Sequence, residues 1–213
     1  MPKSSRSKPS AAQEKPFSFT RRLEEIGMFF AKRSPQHQTM RRLARRLEKA
    51  KVAYAILGGM ALNAHRYERT TKDVDFLLTA EGLDAFRRQF AGKEYEQVQG
   101  RPRRFTDTAN GVTVDILVTG LFPGTGKPGP IAFPDPSAVS EVIDKLPVVN
   151  LPTLIQLKLA ARRWRDFADV VELIRVHDLD ESFLGRLHPS VHQDFIECRE
   201  EKRREDEYEA RES

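Results

Sequence analysis

Residues 71–78, Thr-Lys-Asp-Val-Asp-Phe-Leu-Leu, constrain this chain more than any other stretch. Val74, Phe76, Leu77 and Leu78 are strand formers, so the segment predicts a strand. Side chains alternate across a strand, which puts Asp73 and Asp75 on one face. Two neighbouring carboxylates repel each other, and burying them without a cation is costly. A hard divalent cation with oxygen ligands removes that cost, and Mg2+ typically takes one or two carboxylates together with substrate phosphates. Upstream, the apolar run Val52 to Leu57 predicts a buried strand, Gly58-Gly59 end it, and Met60 to Ala64 predict a helix start. Glycine has no Cβ, so the chain can turn sharply there and bring backbone N–H groups close to a phosphate.

A third strand is predicted over Val112 to Val118, with Asn110-Gly111 as a hairpin turn before it. Its lone acid, Asp115, stands among β-formers and needs a partner. Three carboxylates on neighbouring strands, facing a glycine turn, would suit two metals and a nucleoside triphosphate.

The chain has 213 residues, 39% hydrophobic and 31% charged, enough for one packed domain with solvated appendages. It holds no apolar run long enough to cross a membrane, and residues 1–8 lack the apolar core of a signal peptide. A single cysteine, Cys198, excludes an internal disulfide framework and fits a reducing cytosol. Charge is uneven. Residues 1–52 carry 14 Lys/Arg and 4 Asp/Glu, a local +10, against +5 for the whole chain, so the remainder is net acidic at −5.

In order, residues 1–16, rich in Ser, Pro and Lys, predict a disordered arm. Residues 17–32 predict a short amphipathic helix. Ser34-Pro35 predicts a helix start, with Met40, Leu43, Ala44 and Leu47 as its apolar stripe. Arg41, Arg42, Arg45 and Arg46 cover the rest, as a solvated face or as a contact surface for a phosphate backbone. A helix over residues 80–91 follows the carboxylate strand, then strands over 95–98 and 103–108. Residues 121–136, dense in Gly and Pro, predict a surface loop. Its Gly126-Lys127 is no phosphate loop, because Pro128 follows and no helix does. A short helix is predicted over 137–144 and a short strand over 147–150. From Pro152 the pattern predicts a helix, either continuous or broken near Trp164 with Asp166 as N-cap. On one continuous wheel Lys158, Arg162, Arg165, Asp166 and Asp169 share a face opposite Ala160, Trp164, Phe167 and Val171. Residues 175–190 predict a short helical region, and 191–213 a charged helix or frayed tail.

Gly-Gly, roughly a dozen residues, Thr-x-Asp-x-Asp and a distant third Asp together resemble the nucleotidyltransferase superfamily related to DNA polymerase β. The nearest group holds the AbiEii and MenT-type toxins and the small nucleotidyltransferases of antibiotic resistance. The likeness runs from about Ala53 to about Ile174. It implies an α+β nucleotidyltransferase fold: a mixed sheet flanked by helices, with a C-terminal helical segment. The expected division is a basic arm over 1–33, the core over 34–150 and a helical region over 151–213. The resemblance implies Asp73, Asp75 and Asp115 as ligands of Mg2+ or Mn2+, with Gly58 and Gly59 against the triphosphate. The run from Leu157 to Asp169 looks like the Lys and Arg-Asp-x-x-Asp motifs of the AbiEii-type group, which implies phosphate contact by Lys158 and a catalytic acid at Asp166 or Asp169.

Blander readings stand beside these. Lys158 at the end of an apolar stripe can snorkel, and Asp166 and Asp169 can serve a helix start. Arg69 can meet the triphosphate or pair with an acid. Thr71 orders the turn before its strand and is also expected among the nucleotide-binding residues with Gly58, Gly59, Arg69 and Lys158, and His65 reads as a packing or capping histidine. The expected activity is transfer of a nucleoside monophosphate from an NTP to a tRNA or other RNA end, a protein hydroxyl or a small molecule. A toxin role with an antitoxin partner, and a cytoplasmic location without membrane association, go with it. The alternative is a nucleotide- or RNA-binding module without turnover.

Overall fold

The structure, a computed structural model, describes residues 18–212. The arm expected over residues 1–16 lies outside them. Helix α1 (Phe19–Phe30) starts at Ser18, whose hydroxyl accepts from the Arg21 N–H. Helix α2 (Pro35–Lys49) starts as predicted, with Ser34 as N-cap and Pro35 in its first turn. Met40, Leu43, Ala44 and Leu47 are all buried. Its basic side is partly consumed inside the fold. Arg42 pairs with buried Asp107, which also accepts from Thr39 at 2.7 Å, and Arg46 pairs with Glu94 at 2.9 Å.

Seven strands form one mixed sheet: β1 (Tyr54–Leu57), β2 (Asp73–Leu78), β3 (Tyr95–Gln97), β4 (Arg104–Asp107), β5 (Thr113–Val118), β6 (Ser140–Ile143) and β7 (Leu146–Val149). Their order is β3-β4-β5-β2-β1-β7-β6. β2 runs antiparallel to β1, with Leu57 opposite Asp75, and parallel to β5, with Asp75 beside Asp115. β1 is joined to β7 in parallel at Ile56 and Val148. Helix α3 (Gly58–Ala64) leaves the end of β1, and α4 (Ala80–Phe90) follows β2 with Thr79 as N-cap. The fold is thus α+β, a mixed sheet flanked by helices, and one hydrophobic cluster runs through it from Phe29 to Cys198. No helix among the described residues is long and apolar enough to cross a membrane.

Three expectations change. Residues 137–144 are not a helix: only α5 (Pro136–Val139) is helical, and β6 follows, hairpinned onto β7. The hairpin turns through Asp144 and Lys145, both at positive φ, as a tight two-residue turn requires. Neither is glycine, so the usual sequence mark of such a turn is missing. The Gly/Pro-rich stretch 121–136 is more than a surface loop. Ile131 and Phe133 are buried, and Gly124, at φ +66°, lies against Ala161 so closely that a Cβ would stand 2.5 Å from its carbonyl oxygen.

The third change concerns the helix after Pro152: of the two forms expected, continuous or broken near Trp164, the broken one is found, but its N-cap is not Asp166. Helix α6 (Leu151–Ala161) ends where Arg162 takes the left-handed conformation, and α7 (Trp164–His177) begins after an N-cap at Arg163. Asp166 therefore sits inside the first turn of α7 rather than at its cap. In one continuous helix Lys158 would lie about 12 Å along the axis from Asp166. The break brings their side chains within 3.1 Å. It also turns Trp164 out of the expected apolar face, leaving it 92% exposed. Beyond α7, short 3-10 turns at Glu181–Arg186 and Pro189–Val191 lead into α8 (His192–Glu212).

Candidate active site

The sheet register and the α6–α7 break meet at one cavity of about 490 Å3. Gly58, Gly59, Arg69, Thr71, Asp73, Asp75, Asp115, Lys158 and Asp166 all line it. Asp169 lies behind this wall, and His65 faces elsewhere: it is buried at the end of α3, with Nε2 2.7 Å from the Val149 carbonyl oxygen.

Asp73 is held by Thr71, whose hydroxyl donates to Oδ1 at 2.8 Å. Asp75 has no ion-pair partner within 4 Å among the described residues. Burial, and then the charges of Asp73 and Asp115, push its carboxyl up to about 7. The positive charges of Lys158 and Arg163 work against this rise without offsetting it. Asp115 is differently placed. Arg104, its cross-strand neighbour, donates to both of its oxygens at 2.7 Å. Among the described residues, no three carboxylate, imidazole or thiolate groups are already gathered around a common point. The donor set still fits a hard divalent cation. Three carboxylates project into one cavity, and the middle one carries an electrostatic cost that a cation would remove.

The glycines fit their places for steric reasons. Gly58 stands at φ +62°, and a Cβ there would lie 1.9 Å from Asp75 Oδ2. A Cβ on Gly59 would lie 2.7 Å from Thr71 Cβ. Gly58→Ala is therefore expected to destabilise the fold by about 1–3 kcal/mol, through left-handed strain and the displaced carboxylate. Thermal unfolding checks this, and a variant with wild-type melting would mean that the turn relaxes freely.

The second wall is a chain of paired charges around a buried centre. Lys158 Nζ lies 3.1 Å from Asp166 and 2.6 Å from Asp169, Arg69 holds both oxygens of Asp169 at 2.6 Å, and Arg163 reaches Asp166 at 2.5 Å. Lys158, Asp166 and Asp169 are each at most 8% exposed. Burial works to raise the Asp166 carboxyl, but the hydrogen bonds and charges of Arg163 and Lys158 outweigh it and hold it below the usual range. Arg69 pairs with an acid, Asp169, and also lines the cavity. Sequence reasoning missed Arg104, Arg163 and Asn63. The Asn63 amide donates to the Gly59 and Arg69 carbonyl oxygens at 2.8 and 2.6 Å, tying the segment before β2 to α3. Only the pairing register could have pointed to Arg104.

No family model matches the chain, and no curated protein matches it. Several solved structures align with part of the chain. One is a protein described as a nucleotidyltransferase from Thermotoga maritima, 16% identical over 66% of this chain and 86% of that one, with a TM-score of 0.41. Another is an antigenic nucleotidyltransferase-like protein from Paracoccidioides brasiliensis, 17% identical over 63% and 72%, with a TM-score of 0.39. A third is the CdnE cyclic dinucleotide synthase of Elizabethkingia meningoseptica, solved with GTP and Apcpp, 13% identical over 71% and 63%, with a TM-score of 0.28.

Proposed function

We propose that the cavity carries out metal-dependent nucleotidyl transfer from an NTP to an acceptor hydroxyl. The observation that carries this reading is the convergence of two opposed kinds of group on one cavity: Asp73, Asp75 and Asp115 on the strands, and Lys158 with its arginines across from them. Nucleoside triphosphates need both kinds. Carboxylates hold the cations that accompany the phosphates, and fixed positive groups meet the phosphate oxygens.

Asp73, Asp75 and Asp115 would hold Mg2+ or Mn2+, which would neutralise charge on the phosphates and polarise the acceptor oxygen. The Gly58–Gly59 backbone would approach the β- and γ-phosphates. Lys158 would face the departing pyrophosphate, held in place by Asp166 and Asp169, and Arg69 would brace Asp169 from behind. In this arrangement Asp166 positions Lys158 and does not itself move a proton. The acceptor oxygen bonds to the α-phosphorus, the bond from that phosphorus to the bridging oxygen breaks, and pyrophosphate leaves with the electron pair. The hydroxyl proton passes to water at the open mouth of the cavity.

A second reading, nucleotide binding without turnover, is favoured by one observation: Arg104 already satisfies both oxygens of Asp115. Incubation with each labelled NTP separates the two. Pyrophosphate release that requires Mg2+ and falls in Asp115→Asn while NTP affinity holds supports transfer. Tight Mg2+–NTP binding without release supports the second reading. The proposals of a toxin role and an antitoxin partner rest on the motif resemblance alone.

A further inference from the structure

Trp164 is the only tryptophan in the chain, and it is 92% exposed at the start of α7. A lone exposed apolar side chain needs no explanation. This one has unusual neighbours. Arg163 and Arg165 flank it, and both line the cavity. Arg101 and Arg103, on the segment between β3 and β4, line the same cavity and are exposed. Arg101, Arg103 and Arg165 have no carboxylate within 4 Å among the described residues, unlike Arg69, Arg104 and Arg163, which are paired. In all, seven cationic side chains and four carboxylates line the cavity, in a chain whose body beyond residue 52 is net acidic. Positive charge is thus gathered at this opening and left unneutralised there. Helix α2, the other basic surface, contributes nothing to the cavity lining.

We propose that Trp164, with Arg101, Arg103 and Arg165, forms the docking surface for a single-stranded nucleic acid whose hydroxyl is the acceptor. This rests on the nucleotidyl-transfer reading and names its acceptor class. An exposed indole gives an unpaired base a face to stack on, while unpaired guanidinium groups meet successive phosphates. A base inside a duplex offers no such face, so the surface selects single strands. A protein partner could also use Trp and Arg. The setting favours nucleic acid, because the unpaired charge is of one sign and lines the cavity in which the triphosphate would lie.

Trp164 emission is a site-specific probe because no other tryptophan contributes. The experiment titrates the full-length protein, without divalent cation, with oligo(A) RNA, with the same strand annealed to its complement, and with ATP alone. Mg2+–ATP binding is measured separately by calorimetry. The expected result is quenching by the single strand and little by the duplex. Trp164→Ala should weaken oligo(A) binding about ten-fold, measured by anisotropy of a labelled strand, with Trp164→Phe retaining most of it. Arg101→Gln with Arg103→Gln and Arg165→Gln should flatten the salt dependence by about 0.7 per lost contact. Emission unmoved by oligo(A), with intact Mg2+–ATP binding, would overturn this surface, leave nucleotidyl transfer standing and make a protein the next acceptor to label. Quenching by ATP as strong as that by oligo(A) would place Trp164 on the donor nucleotide and overturn the acceptor role. Binding lost only in Arg41→Gln with Arg45→Gln would move the nucleic-acid surface to α2. Oligo(A) quenching with no Mg2+–ATP binding would overturn transfer, and the acceptor role with it.

Discussion

Asp75→Asn, kept free of divalent cations with EDTA, is expected to melt several degrees above the wild type at pH 8 and level with it near pH 4. Burial and the neighbouring Asp73 and Asp115 raise the Asp75 carboxyl from its ordinary 3.8 to about 7. The folded protein therefore keeps this proton where the unfolded chain has lost it. Stability falls as pH rises from about 4 to 7, and the loss is complete above 7. The shift corresponds to a few kcal/mol at most. Asparagine cannot ionise, so the variant escapes that loss. Mg2+ should then raise the melting temperature of the wild type at pH 8 and leave the variant unmoved. Nucleotidyl transfer should fall by about a thousand-fold or more, since the charge that holds the cation is gone. Stability gained and activity lost by one isosteric change would mark the repulsion as a cost that the site bears for its chemistry. Equal melting of both proteins at pH 8, or an equal response to Mg2+, would remove the cation site from this place.

Lys158→Ala should have the largest effect in the opposite direction. Its ammonium lies between two carboxylates that are almost without access to water. Removing one member of a buried ion cluster leaves an uncompensated charge and costs about 3–5 kcal/mol, a fall in melting temperature on the order of 10 °C for a chain of this size. Lys158→Met keeps most of the apolar stem and loses the charge, so it should cost nearly as much. Adding Asp169→Asn to Lys158→Ala should recover a good part of the loss, which urea unfolding of the wild type, Lys158→Ala, Asp169→Asn and the double variant would reveal as coupling. The same substitution should weaken triphosphate binding much more than nucleoside binding, because the ammonium is a point charge for phosphate. A cost under about 1 kcal/mol would show that water reaches the cluster. Equal losses for nucleotide and nucleoside would assign Lys158 to packing alone.

The parts legible in the sequence were those that depend on local pattern. Alternation around Asp73 and Asp75 marked β2 and its polar face, and β-formers around Asp115 marked β5. The glycine pair marked the turn. Contacts set by register or by unusual backbone conformation were not legible. Arg104 meets Asp115 only because β4 and β5 pair at that register. The β6–β7 hairpin turns through non-glycine residues at positive φ, Asp144 and Lys145. A break near Trp164 was one of two forms expected, but the left-handed Arg162 and the N-cap at Arg163 that make it carry no sequence mark. A helical wheel drawn straight through Arg162 necessarily put Trp164 with the apolar residues, although among the described residues it is the most exposed of the large hydrophobic side chains. Asp107 was equally hidden: its burial is explained by Thr39 and Arg42, from a helix far away in the sequence.

The parallel pairing of β1 with β7 through Ile56 and Val148 has a consequence for how the protein is made. β1, β2 and β5 emerge early in synthesis and can pair with one another, bringing the three acids together. β7, which docks onto β1 and carries β6, α6 and α7 with it, comes much later and must close a long loop to do so. Lys158 arrives with that last piece. A nascent chain can therefore assemble its carboxylates well before it has the ammonium opposite them. Half-folded, it would be able to attract cations but not to position a triphosphate, so competence would arrive in one late step with the docking of the C-terminal helices.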